Sequence, residues 1–185
     1  MRANALDIGR RVDGNVMVEA ALFIPVIMFL LFAGVDLVRF VQMTFQADRA
    51  AGVLADQFAQ QRSFTESDFV NAAQVAHKIV DGAGLASVVS VQISSLRVHP
   101  VDASEILWSR AATTGASACL SPSSGFTSPS ASANGSAKIN YFVMVSVCAE
   151  PSPTFFFSSL LSMADLTMQG HAASVARYPA VRSLE

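Results

Sequence analysis

The apolar residues of this chain are concentrated in one uninterrupted zone near its N-terminus. No residue between Glu19 and Asp36 carries a charge, and apolar residues extend the zone outward, to Val16 on one side and Val38 on the other. As a helix rising about 1.5 Å per residue, this stretch would measure about 34 Å. That length can cross the roughly 30 Å hydrocarbon core of a bilayer. The pattern predicts a transmembrane helix over residues 15–38, with Pro25 inside it and tolerated there.

After the span, apolar residues recur with helical spacing, which predicts that one helix runs from about residue 16 to residue 61. A second helix is predicted to begin at one of two overlapping capping-box patterns, Ser63–Glu66 or Thr65–Asp68, and to end at Gly82 and Gly84. Together these form a helical stalk over residues 39–84. The apolar stripe of the first helix comprises Phe40, Val41, Phe45, Ala51, Leu54, Ala55 and Phe58.

From residue 85 onward the pattern indicates strands. Alternation begins at Val89 and slips after Ser95, which predicts a bulge. A short strand is expected at Ile106–Arg110, a central one at Ile139–Ala149, which is apolar on both faces, and a last one ending near Ala176. Residues 111–137, rich in Ser, Ala and Gly, are expected to form a loose loop. The predicted fold is therefore α+β, with two helices packed on a small antiparallel sheet of about four strands in the domain 85–185.

The residue composition and charge of the chain limit the classes of function that it could have. Of the 185 residues, 52% are hydrophobic and 14% are charged, whereas soluble domains carry roughly 25% charged residues. The net charge of −2 includes no basic run that could contact nucleic-acid phosphates. His77, His99 and His171 lie outside any catalytic or metal-binding motif. We therefore expect no enzyme activity, catalytic residue, metal, cofactor, small-molecule substrate or nucleic-acid partner.

The two cysteines, Cys119 and Cys148, have no CxxC spacing that would indicate zinc. They could form a disulfide in an oxidising compartment, or they could be two buried free thiols. Arg2, Arg10 and Arg11 precede the span, and this bias favours a cytoplasmic N-terminus. The cysteines would then lie outside the cytoplasm, which favours the disulfide.

The most informative segment lies where the apolar zone begins. Cleavage after Gly14 would make Asn15 the new N-terminus, four residues before Glu19. On a helix, residues i and i+4 share a face about 6 Å apart. A new α-ammonium could therefore neutralise the carboxylate of Glu19, or that of a neighbouring subunit, and offset the cost of placing an acid near hydrocarbon. Alternatively, Glu19 simply remains among the cytoplasmic headgroups.

The run G-NVMVEAALFIP resembles the opening of TadE-like (TadE and TadF) proteins, the pseudopilins of the tight-adherence (Flp-type) pilus system. A second similarity lies in Gly34-Val-Asp-Leu-Val-Arg39. The residues that carry the first are Gly14, Glu19, Ala20, Leu22 and Pro25.

The resemblance implies a minor pilin with no chemistry of its own. A prepilin peptidase would remove the cytoplasmic leader, residues 1–14, by cutting between Gly14 and Asn15. Glu19, Pro25 and Gly34 would belong to the assembly helix, whose partners are other pilins or pseudopilins and the Tad platform proteins. The subunit would cross the bacterial inner membrane once, with its C-terminal part in the periplasm, or be incorporated in a pilus that serves cell adhesion.

Two alternatives remain open at the level of sequence. The chain could be an uncleaved single-pass anchor for a periplasmic binding domain, or a secreted soluble protein whose first 34 residues form a signal peptide. The three hypotheses predict different mature N-termini, at Asn15, Met1 and Val35 respectively.

Overall fold

The computed structural model describes residues 7–82, 84, 86–98, 104–113, 119, 140–153, 155–156 and 168–178. Within these residues the helices are α1 (Asp7–Ala59) and α2 (Glu66–Val80), and the strands are β1 (Ala86–Val98), β2 (Glu105–Thr113), β3 (Asn140–Pro151) and β4 (Met168–Val175). The predicted α+β class is confirmed. The chain divides into an N-terminal unit, Met1–Val38, and a C-terminal unit, Arg39–Glu185.

Helix α1 is longer at its start than the sequence pattern indicated. It begins at Asp7 rather than near residue 16, and it continues without a break through Pro25 to Ala59. The prediction placed a boundary where the chain turns polar, but polarity does not stop a helix. Residues 7–24 contain no proline, and each glycine in a helix interior costs only about 1 kcal/mol relative to alanine.

Helix α2 begins at one of the two predicted capping boxes, Thr65–Asp68. The backbone N–H of Thr65 donates to Oδ2 of Asp68 at 2.8 Å, and the Thr65 hydroxyl donates to the same oxygen at 2.7 Å. These two hydrogen bonds, the backbone one first, lower the pKa of the Asp68 carboxyl. The helix ends at Val80, and Gly84 follows with φ of 66°, a conformation that glycine adopts readily.

The four strands form one antiparallel sheet in the order β2-β1-β3-β4. Strand β3 lies inside the sheet, as its apolar pattern predicted. Pairing of β1 with β2 shifts register between Ser95 and Leu96, where the bulge was expected. Pairing with β3 stays regular there, so Leu96 lies on the opposite face from Ile93.

Strand β2 extends beyond Arg110 to Thr113, so the expectation that a loop begins at residue 111 is wrong. Ala111, Ala112 and Thr113 pair with Gln92, Val91 and Ser90 of β1. The short side chains of these three residues show no clear strand pattern in the sequence. They still form a strand, because backbone hydrogen bonds to β1 do not require large apolar side chains.

One face of the sheet shares a core with both helices in the C-terminal unit. Trp108 packs edge-on to Phe64 and Phe69, at ring-centroid distances of 5.6 and 6.2 Å, so it lies beside the core. The ring of Phe58 packs 5.0 Å from that of Phe64. The buried residues of α1 in this core are Met43, Ala47, Ala50, Ala51, Leu54, Ala55, Phe58 and Ala59.

Strand β4 lies directly against the backbone of α1 at Gly170. A Cβ atom at Gly170 would fall 2.6 Å from the carbonyl oxygen of Ala47, and closer still to the Ala47 carbonyl carbon and the Asp48 nitrogen. Further along, the backbone N–H of Arg177 donates to the carbonyl oxygen of Ala59 at 2.9 Å. The helix and the strand therefore run side by side in the same direction.

Candidate functional site

The segment of α1 from Met17 to Val38 is exposed and apolar. Large hydrophobic side chains are exposed from Met17 to Val38, and only 6% of the most apolar segment is buried. By its length and composition this helix could cross a membrane. The chain is thus compatible with a single-pass membrane anchor, as the apolar zone predicted.

The proposed processing residues lie within this helix. Gly14 and Asn15 are part of α1, and Glu19 follows on the same helix with an exposed side chain. The unbroken backbone gives Asn15 and Glu19 the i, i+4 spacing that would bring a new N-terminal amine beside the carboxylate. A peptidase would have to unwind α1 locally to reach the peptide bond between Gly14 and Asn15. Glycine has the lowest helix propensity of all residues except proline, so Gly14 would make this unwinding easier.

The two other assembly-helix candidates also lie in this segment. Pro25 has no backbone N–H, so the carbonyl oxygen of Ala21, four residues earlier, lacks its helical donor. A Cβ atom added at Gly34 would meet nothing within 4 Å. The helix surface at Gly34 is therefore open to close approach by another backbone, which is how small residues act in membrane helix pairs.

In the C-terminal unit, α1 also has an exposed face that points away from the sheet, on which the apolar residues Val41 and Phe45 lie beside the exposed acid Asp48. Phe45 is 68% exposed and Val41 is 43% exposed, and Gly52 has no neighbour within 4 Å of an added Cβ. Their spacings of four and seven residues place them on one helix face. The prediction that Val41 and Phe45 share one apolar stripe with Leu54 and Phe58 is wrong, because Leu54 and Phe58 are buried in the core. We refer to Val41, Phe45 and Gly52 as the outer face of α1.

Cys119 and Cys148 form a disulfide with a Cα–Cα distance of 5.5 Å. This confirms the pairing and removes the alternative of two free thiols. Both cysteines are buried, and Cys148 lies opposite Ser90 of β1. The bond closes a sequence separation of 29 residues, which corresponds to about 3–4 kcal/mol in the loop-entropy model.

The sheet face that carries Cys148 also carries a row of polar contacts. Gln92 donates to the Ser109 hydroxyl at 3.0 Å, and the Ser94 and Ser109 hydroxyls lie 2.9 Å apart. Nδ1 of His171 lies 3.0 Å from the hydroxyl of Ser146, which is itself buried. A buried hydroxyl is a poor nucleophile for an external substrate, so we interpret this pair as structural. His77 lies on α2, and His99 lies outside the described residues.

No protein-family model, curated protein or solved structure matches this chain.

Two features of α1 and its contacts were not predicted from the sequence: the outward direction of Phe45 and the close contact at Gly170. The outward direction of Phe45 could have been read from its spacing to Met43 and Ala47, which places it on the other side of the helix from them. Gly170 carries no comparable signal, because its role arises from a contact with Ala47, which is distant in sequence.

Proposed function

We propose that this chain is a TadE-like minor pilin, which acts by assembling with other subunits through α1. One observation carries the proposal. A single unbroken helix bears Gly14, Asn15 and Glu19 at the start of an apolar segment, and then continues into the folded C-terminal unit as far as Ala59. The same helix therefore carries both the proposed assembly residues and buried residues of the C-terminal core.

In this proposal, assembly depends on Glu19, the acid at the edge of the apolar segment. A carboxylate placed deep in a membrane costs roughly 2.5–3.5 kcal/mol on insertion scales. Cleavage after Gly14 would create an ammonium group at Asn15 that can neutralise Glu19 in the same subunit or in the next one. Pairing between subunits would favour a staggered arrangement of helices, because each acid would seek the amine of its neighbour.

The outer face of α1 supports the same proposal beyond the membrane. Phe45 and Val41 expose apolar surface on the side opposite the sheet. Gly52 leaves room on this face for a second helix to approach closely. Pilin or pseudopilin helices are the partners that this surface fits, with the prepilin peptidase and the Tad platform proteins as further partners.

Two observations support the proposed topology in the bacterial inner membrane. Arg2, Arg10 and Arg11 precede the apolar segment, which favours a cytoplasmic N-terminus. The Cys119–Cys148 disulfide lies in the C-terminal unit, and disulfides persist in the periplasm rather than in the cytosol.

A second candidate function is an uncleaved anchor for a periplasmic binding domain. It is favoured by the continuity of α1 through Gly14 and Asn15, since a helical peptide bond is a poor protease substrate until it unwinds. This alternative keeps the fold and the topology but requires no partner on the outer face of α1.

Site-specific photo-crosslinking in piliated cells separates the two functions. A photoreactive amino acid at position 45 should form adducts with another small membrane subunit, because Phe45 lies on the proposed assembly face. The matched control is position 70, where Val70 is 51% exposed on α2. Equal labelling at the two positions, or no adduct from position 45, would contradict the assembly function.

A further inference from the structure

The turn that follows β3 places an exposed aromatic side chain next to a buried one. The backbone N–H of Phe155 donates to the carbonyl oxygen of Ser152 at 3.2 Å. This bond closes a four-residue turn with Pro153 at its second position, where the fixed φ of proline is favoured. Phe155 is 2% exposed and belongs to the core, whereas Phe156 is 57% exposed. We refer to Pro153, Phe155 and Phe156 as the β3 turn.

Register places the β3 turn at the end of the C-terminal unit from which α1 leaves towards the apolar segment. Gly170, which lies against Ala47 of α1, pairs with Val147 of β3. From Val147 to Pro151 the strand advances about 13 Å, at roughly 3.3 Å per residue. From Ala47 back to Arg39 the helix covers about 12 Å, at roughly 1.5 Å per residue.

The direction of α1 relative to the sheet confirms this placement within the unit. Arg177, which follows β4, bonds to Ala59 at the other end of the helix. Pro151 therefore lies at about the level of Arg39, and the β3 turn follows it. Arg39 is the first residue of the C-terminal unit and directly follows Val38, the last residue of the predicted span.

The chemistry of the turn suits the boundary between lipid and water. From Pro151 to Ala164 the sequence contains no charged residue. Pro151 and Pro153 have no backbone N–H groups that would need a hydrogen-bond acceptor away from water. A phenylalanine anchored by a buried neighbour can enter the headgroup region, where phenylalanine commonly lies in helices bound to membrane surfaces.

We propose that the β3 turn contacts the lipid surface of the membrane that α1 enters, with Phe156 inserted at the level of the headgroups. The turn is then a second attachment point that keeps the base of the C-terminal unit against the bilayer. This inference rests on the membrane anchor alone and requires neither leader cleavage nor pilin partners.

Depth-dependent fluorescence quenching in reconstituted vesicles tests the proposal. The full chain carrying Phe156→Trp would be reconstituted into phosphatidylcholine vesicles, with and without bromine on the acyl chains near the headgroups. The unsubstituted protein supplies the baseline, because Trp108 is its only tryptophan and packs beside Phe64 in the core. Relative to this baseline, the added tryptophan should emit at shorter wavelength and lose most of its emission in brominated vesicles.

The Val70→Trp variant is the matched control, since Val70 is exposed to a similar extent on α2. Its tryptophan should be quenched by aqueous iodide and not by brominated lipid. If position 156 behaves as position 70 does, the proposal is overturned. It is also overturned if the tryptophan introduced at position 156 is protected from both quenchers, because a protein surface would then cover the turn. A retained Cys119–Cys148 disulfide, checked on non-reducing gels, verifies folding of each variant.

Discussion

At the scale of single residues, Glu19 and Gly170 matter for opposite reasons. Glu19 places a carboxylate at the edge of an apolar helix, where its partner would be an amine formed by cleavage. Gly170 acts in the opposite way, because its missing side chain lets β4 contact the backbone of α1 at Ala47 and Asp48. The sequence signalled the first residue through its spacing to Gly14 and contained no sign of the second.

Substituting Gly170 with alanine should destabilise the C-terminal unit by about 1–3 kcal/mol, the usual range for an overpacked core. The added methyl group would collide with backbone atoms of Ala47 and Asp48, and backbone cannot swing aside as a flexible side chain can. Thermal unfolding of the purified chain in detergent, followed by circular dichroism, measures this loss.

Gly52→Ala is the matched control for that experiment. Gly52 lies in α1 on its outer face, and an added Cβ meets nothing within 4 Å. Alanine should raise helix stability there by up to about 1 kcal/mol. If Gly170→Ala proves as stable as the unsubstituted protein, α1 and β4 do not lie in the contact described.

At the scale of elements, local signals predicted the start and end of α2 well and the start of α1 poorly. Thr65 and Asp68 form a cap whose partners are three residues apart, so the pattern is visible in the sequence. The boundary at Asp7 has no such signal, because polar residues in the predicted leader remain compatible with helix.

Asp68→Asn should lower stability by less than about 1 kcal/mol at neutral pH, because it removes a charged acceptor from an exposed cap. The pKa of Asp68 is lowered by its two bonds from Thr65. Its contribution is therefore complete above the unfolded carboxyl pKa of about 3.9, and is lost as the pH falls through the lower folded value. Denaturant unfolding between neutral and strongly acidic pH measures the difference between the two proteins, which should shrink below about pH 4.

Glu66→Gln serves as the comparison, since it removes a neighbouring acid in the first turn of α2 and leaves the Thr65–Asp68 bonds in place. It should destabilise the protein less than Asp68→Asn does. A stability difference for Asp68→Asn that persists unchanged at low pH would show that the carboxylate does not act through its charge.

At the scale of the whole molecule, sequence patterning predicted the fold class, the central position of β3 and the long apolar helix, because each depends on local periodicity. The order β2-β1-β3-β4 and the pairing of Ala111 and Ala112 with β1 could not be predicted in this way. Both depend on contacts between residues far apart in the chain. The disulfide was one of two open hypotheses at the level of sequence, and the structure joins Cys148 of β3 to Cys119.

The functional inferences also divide into one that the sequence pattern supports directly and one that depends on a further event. The length and apolar surface of α1 are compatible with a membrane anchor, whereas the proposed assembly depends on cleavage of one peptide bond within this helix. An uncleaved helix would leave Glu19 without the amine on which its proposed role in assembly depends. The state of the bond between Gly14 and Asn15 is therefore the central question.

Mass spectrometry of the N-terminus of the protein isolated from the membranes of piliated cells answers it most directly. We expect the mature chain to begin at Asn15, and a Gly14→Trp variant to retain its leader and remain outside the assembly. A functional protein that still begins at Met1 would contradict the account.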